Sequence, residues 1–215
     1  MRGEPGVTQH VSSPGSSESS PQVSVVITAY NEEKRLAATL QALRDQTYTD
    51  FEVIIVDDGS TDATAGIARA FTGADRRFRL EVLPRVGRGR ALNEGVRLAR
   101  GKYVAINDAD DRSLPDRLAR QVEYLDTHPE CVLLGCGALI VDEQGNGLGM
   151  RQPPAEDARL RRLLAIGNPF VHSTVVYRRD ALMQAGMFSE ALPCAIDYDM
   201  IVRISRFGML SSLPE

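Results

Sequence analysis

Four short β-rich runs recur along the chain at intervals filled by helical patterns. They are VSVVIT (23–28), FEVIIVDD (51–58), RLEVLP (79–84) and KYVAIN (102–107). The first, second and fourth are nearly continuous in apolar residues, as expected of strands covered on both faces. Between the first two, NEEKRLAATLQALRDQ carries Leu36, Leu40 and Leu43 at helical spacing. STDATAGIARAFTG reads as a helix opened by Ser60 or Thr61 and closed near Gly73, and RGRALNEGVRLARG (88–101) as one ending at Gly101. SLPDRLARQVEYLDTH begins with a Ser113-x-x-Asp116 capping box. CVLLGCGALIVD (131–142) reads as a further strand before an EQGNG turn. Strands alternating with helices predict an α/β, Rossmann-like, doubly wound and mostly parallel sheet flanked by helices.

The 215 residues suffice for one such domain. Residues 1–21 are rich in Ser, Pro and Gly and predict a flexible tail, leaving 22–215 as the folded unit. A net charge of −4 gives no general reason to expect nucleic-acid binding. No apolar run is long enough to span a bilayer, and no apolar h-region of a signal peptide is read at the N-terminus. Cys131, Cys136 and Cys194 match no zinc spacing; they fit buried small residues in a reduced, cytoplasmic interior.

In an open α/β sheet, ligands bind beyond the carboxyl ends of the strands. Those ends read TAYNE (28–32), DDGSTD (57–62) and NDADD (107–111). The last places Asp108, Asp110 and Asp111 within four positions. Two unit charges about 4 Å apart repel by roughly 4 kcal/mol at an effective dielectric near 20. Such a cluster calls for a positive partner or for full solvation. Asp108 and Asp110, two residues apart, can grip Mg²⁺ together with phosphate oxygens and water. The same stretch also describes a solvated turn before a helix.

The other strand ends allow two readings each. Asp57 or Asp58 can accept a hydrogen bond from a base or sugar, though Asp-Gly-Ser is also a common turn and helix start. Tyr30 can stack on a base with Thr28 and Glu32 bonding to it, or it can simply pack. VGRGRALNEG is only a partial dinucleotide fingerprint, and it follows the third strand. Its Arg85, Arg88 and Arg90 can neutralise a diphosphate or form a solvated basic loop. Asp197, in CAIDYDM (194–200), can cap a helix or act as a general base. His172, in NPFVHSTVV, is the one histidine near plausible chemistry, in reach of a phosphate.

Taken in order, these segments resemble the family 2 glycosyltransferases. VSVVITAYNEEKRLAATLQALRDQTYTDFEVIIVDDGSTDATAGIARAF is similar to the opening block of that family. GRALNEGVRLARGKYVAINDADD is similar to the next, which ends in a DxD metal motif. FVHSTVVYRRDALMQAGMFSEALPCAIDYDMIVRISRFG resembles the block that bears the catalytic base. The resemblance runs from about residue 23 to 208. It implies a GT-A fold and inverting, metal-dependent transfer from a nucleotide-diphosphate sugar, a UDP-sugar by preference, to an acceptor hydroxyl. By the same resemblance Thr28, Tyr30, Glu32 and Asp58 line the nucleoside pocket, Asp108 lies near the ribose, and Asp110 with Asp108 holds a Mg²⁺ or Mn²⁺ ion; Asp57 and Arg90 are counted with them as nucleotide-sugar-binding residues. Asp197 is then the base. The acceptor would be a sugar, a lipid-linked saccharide or another glycoconjugate, as in polysaccharide biosynthesis.

Three departures qualify this. Ala29 stands where the family usually has Pro, and Ile196 where it often has Glu. The chain also stops at Glu215, where relatives usually continue with elements that cover the acceptor or touch a membrane. Peripheral association with the inner membrane face would rest on such elements. A donor-binding module without catalysis is therefore a second reading. A sugar nucleotidyltransferase is a weaker third, because TAYNEEKR lacks the Gly-rich loop expected there.

Overall fold

The computed structural model describes residues 20–214, so the expected tail lies outside the described residues apart from Ser20 and Pro21. Strand and helix alternate through β1 (Val23–Ala29), α1 (Leu36–Arg44), β2 (Phe51–Asp58), α2 (Thr64–Ala74), β3 (Phe78–Leu83), α3 (Arg88–Leu98), β4 (Tyr103–Ile106) and α4 (Arg117–Thr127). β5 (Cys131–Cys136), a hairpin of β6 (Ala138–Val141) and β7 (Gly147–Arg151), and α5 (Asp157–Leu164) follow. The chain closes with β8 (Val176–Arg178), α6 (Arg179–Gln184), α7 (Ile196–Ile204) and β9 (Met209–Leu213). The main sheet has the order β3-β2-β1-β4-β8-β5-β9. Only β8 runs against its neighbours β4 and β5; the other pairings are parallel.

Period-two alternation sends successive residues to opposite faces. Val26, Ile54, Val104 and Ile106 enter a core with Leu92 and Val96 of α3 and Met200 and Ile204 of α7. Val25, Ile27, Ile55 and Ala105 enter a second core with Leu36 and Leu40 of α1 and Leu118 of α4. A Cβ on Gly95 would lie 2.4 Å from Val26 Cγ1, so only glycine lets α3 approach β1 this closely. The chain passes from β1 outward to β2 on one side and returns to β4 on the other, and the strand ends on either side of that switch form the crevice.

Glu52 shows how a charge is tolerated inside β2. Its 3% exposed side chain accepts Ser24 Oγ at 2.8 Å, the Arg100 N–H at 2.9 Å and the Arg100 guanidinium at 2.9 Å. Burial works to raise its carboxyl, but these donors outweigh it and leave it below the usual range.

Several local expectations change. The run 131–142 is two strands, because β5 ends at Cys136 and Leu139, Ile140 and Val141 leave the core for an exposed hairpin. Ser113 does not cap α4; it donates to Asn107 Oδ1 at 2.7 Å and accepts Arg117 Nη1 at 2.9 Å. α2 starts at Thr64, since Ser60 is bonded to Asp57. Cys131 is buried, but Cys136 is half-buried and Cys194 exposed. Among the described residues, no helix is long and apolar enough to cross a membrane.

Candidate active site

The carboxyl ends of β1, β2 and β4 open into a cleft of about 360 Å³ lined by Thr28, Tyr30, Glu32, Asp58, Asp108 and Asp110, with Arg85 and Arg88. The loops that build it are cross-linked. Asn31 takes a positive φ of 57°, which asparagine tolerates better than most residues. That turn aims its Oδ1 at the Thr61 N–H, 2.9 Å away, while its own N–H reaches Ser60 Oγ at 3.0 Å. Glu32 N–H donates to Thr64 Oγ1 at 2.8 Å. The first two strand ends therefore form one rigid wall.

At one end of the cleft, Asp58 is 2% exposed and bonded to Arg85. It also accepts the Val86 N–H at 2.7 Å and the Gly87 N–H at 3.1 Å. Arg85 lies 3.5 Å from the centroid of the Tyr30 ring. A planar cation thus rests on the aromatic face and against the carboxylate, which is the set of contacts a nucleobase edge and face would use.

At the other end stands the acidic turn. Asn107 Nδ2 donates to the carbonyls of Asp108 at 2.8 Å and Asp111 at 3.1 Å. Arg117, buried, donates to Ile106 O and Asn107 Oδ1, each at 3.0 Å. Ser173 Oγ receives the Asp108 N–H at 3.0 Å and donates to Asp111. Each carboxylate has its own partner: Arg88 for Asp108, Arg35 at 3.4 Å for Asp110, and Ser173 for Asp111. For Asp108 and Asp110 the protein itself supplies the positive charge that the cluster called for. Arg88 also reaches His172 Nδ1 at 2.9 Å. Burial works to raise the Asp108 carboxyl, but His172, Arg88 and the Ser173 hydroxyl together hold it down at about 2.

Among the described residues no three His, Cys, Asp or Glu side chains converge as a metal cage. Asp110, 42% exposed and with a single long contact to Arg35, fits a hard cation that takes most of its oxygens from a diphosphate and water.

Two expected donor residues lie outside the cleft. Asp57 is 1% exposed and bonded to Ser60, so it shapes the loop. Arg90 pairs with Glu190 at 3.2 Å. Two residues separate about 200° on a helix, so Arg88 and Arg90 cannot both face Asp108. Asp197, at the second position of α7, is not its cap; that place belongs to Ala195, with φ 54°. Asp197 instead accepts Asn168 Nδ2 at 2.9 Å. It lies outside the residues that line the cleft. Ile196, at the position where an acid is common, is buried in the core. Sequence reasoning missed Arg35, Asn31, Arg117, Ser173 and Asn168. Only Asn31, beside Tyr30 in a strand-end turn, carried a local signal.

The model of the family described as Glycosyl transferase family 2 matches residues 24–186. The amylovoran biosynthesis glycosyltransferase AmsE of Erwinia amylovora is 31% identical over 89% of this chain and 73% of its own length. The succinoglycan biosynthesis protein ExoO of Rhizobium meliloti is 34% identical over 74% of this chain and 44% of its own. Among solved structures, S. aureus TarS 1–349 in complex with UDP-GlcNAc superposes with a TM-score of 0.75 at 26% identity, covering 89% of this chain and 56% of that one. The mannosyltransferase PcManGT of Pyrobaculum calidifontis, in complex with GDP-Man and Mn²⁺, shares the fold with a TM-score of 0.69 at 23% identity, covering 92% of this chain and 56% of that one. The chain thus spans about half to three quarters of the length of these relatives. Its mostly parallel sheet, strand-end cleft and match along most of its length make it a GT-A-type glycosyltransferase domain of glycosyl transferase family 2.

Proposed function

We propose that the protein transfers a sugar, with inversion, from a nucleotide-diphosphate sugar to an acceptor hydroxyl, and that a divalent cation, Mg²⁺ or Mn²⁺, assists. One observation carries this reading: a single strand-end cleft has an aromatic ring and a buried carboxylate at one end and a half-exposed aspartate within an acidic turn at the other. The UDP-GlcNAc complex of TarS supports a UDP-sugar donor. The names of AmsE and ExoO support an acceptor in polysaccharide or glycoconjugate biosynthesis. Three free cysteines suit a reduced, cytoplasmic setting, at the inner face of the membrane where the acceptor is lipid-linked.

In this mechanism Tyr30 and Asp58 hold the base, exchanging Arg85 for it, while Thr28 and Glu32 close the wall. Asp108 lies on the ribose side. Asp110, with Asp108, would hold the cation, which when bound offsets the charge developing on the leaving diphosphate. Arg88 is freed from Asp108 to add a donor to the same oxygens. Asp197 takes the proton from the acceptor hydroxyl as that oxygen attacks the anomeric carbon in line, and the bond to the diphosphate breaks. A screen of donor hydrolysis and transfer across nucleotide sugars, with Mn²⁺, Mg²⁺ or EDTA, tests the reading. Turnover of one donor class that EDTA abolishes is expected. Tight diphosphate binding with no hydrolysis or transfer of any donor would favour the binding-module reading instead.

A further inference from the structure

We propose that Asn168 is a positioning residue for the Asp197 carboxylate, holding Oδ2 and leaving Oδ1 as the oxygen that accepts the proton. The inference rests on Asp197 being the base. Asn168 Nδ2 donates to Asp197 Oδ2 at 2.9 Å. The orientation of the amide is fixed from its other side, because Asn168 Oδ1 accepts the Phe170 N–H at 3.0 Å. A flipped amide would set an N–H against that N–H and an oxygen against the carboxylate, losing both bonds. The backbone is constrained as well. Asn168 precedes Pro169, which disfavours helical geometry, and Phe170 is buried in the core. The Asn168 carbonyl receives Arg151 Nη2 from the end of β7 at 3.5 Å. The side chain is thus held at both ends of its amide, and its backbone carbonyl at a third point, in a segment that forms neither helix nor strand.

The surroundings of Asp197 give this contact its weight. On α7, Asp199 is spent on Arg203 at 2.7 Å. From β8, the buried Tyr177 hydroxyl has no hydrogen-bond partner among the described residues, and burial, with the charge of Asp197 adding to it, pushes its pKa well up. No cation pairs with Asp197 among the described residues, and the Asn168 amide is its one hydrogen-bond donor there. A donor to the ionised form favours that form. Asn168 therefore fixes which oxygen faces the acceptor.

The test is the pH profile of transfer, with donor affinity measured in parallel, for wild type, Asn168→Asp, Asn168→Ala, Asp197→Asn and the Asn168→Ala, Asp197→Asn double variant. Asn168→Asp keeps the acceptor for Phe170 N–H but replaces the donor with a like charge. The expected result is a fall in turnover of roughly tenfold and an acid limb moved up by about one pH unit or more, with donor affinity unchanged. Asn168→Ala should shift the limb in the same direction by less. In the Asp197→Asn background, Asn168→Ala should have no further effect on transfer, because the two act as a unit. An unshifted limb in Asn168→Asp, or additive losses in the double variant, would overturn the role of Asn168 while leaving the base in place. Full turnover by Asp197→Asn would instead overturn the base itself.

Discussion

Arg35 and Asp110 meet at 3.4 Å beside the strand-end cleft, one from the turn before α1 and the other from the turn after β4. Their side chains are 58% and 42% exposed, so the pair is screened and worth about 0–1 kcal/mol. A cation brought by a diphosphate can therefore displace Arg35 at little cost. Asp110→Asn should weaken divalent-dependent binding of a nucleoside diphosphate and shift the unfolding free energy by no more than about 1 kcal/mol. Calorimetric titration with UDP, with Mn²⁺ or with EDTA, checks this. Affinity indifferent to both EDTA and the substitution would remove Asp110 from the metal site.

Asp58 carries more structure than the proposed base pocket requires. Its carboxylate anchors two backbone N–H groups and Arg85 at the start of α3. Leaving a buried donor unpaired costs roughly 1–3 kcal/mol. Asp58→Ala should therefore lose stability of that order as well as nucleotide affinity, and amide exchange at Val86 and Gly87 should quicken. Asp58→Asn keeps an acceptor and should retain more of both. Loss of affinity with unchanged exchange at these amides would show that Asp58 does not anchor the loop.

Glu52 sets a pH dependence far from the cleft. Its folded carboxyl sits below its usual value, which is roughly 4.3 in an unfolded chain. The unfolded state thus binds the proton more readily, so the stability from Glu52 is complete above about pH 5 and is lost as pH falls through the folded value. Glu52→Gln should lower stability at neutral pH and flatten its decline under acid. Denaturant midpoints from pH 3 to 7 measure this, and parallel curves for the two proteins would exclude Glu52 as a source of acid sensitivity.

The parallel half of the fold was legible because burial on both faces writes itself as unbroken apolar runs. VSVVIT and FEVIIVDD delimit β1 and β2 within a residue. β8 and β9 were not read, since three and five residues leave little periodicity and β8 is defined by the strands beside it. GALIVD looked like strand interior although Leu139 is 68% exposed, because sequence records hydrophobicity and not what covers it. In the site, Thr28, Tyr30, Glu32, Asp58, Asp108 and Asp110 converge on the cleft, whereas Asp57 is taken up by Ser60 and Arg90 turns to Glu190 by helical phase. Asn168 and Ser173 act through contacts 29 and 62 residues away, which no local pattern encodes.

Asp197 separates chemistry from structure most directly. Its carboxylate does not cap α7 and makes no ion pair among the described residues, so Asp197→Asn should fold normally. The amide keeps an oxygen for Asn168 Nδ2 but cannot take a proton at neutral pH. Loss of general-base catalysis typically costs about 10²–10⁴-fold, and transfer should fall by that much. Donor affinity should hold, because Asp197 is not among the residues lining the proposed donor cleft. Asp110→Asn should fail in the opposite manner, losing metal-dependent donor binding first. Single-turnover transfer rates and UDP affinities for the two variants should therefore dissociate. Equal losses of affinity in both would place Asp197 on the donor side, and the proton would need another acceptor.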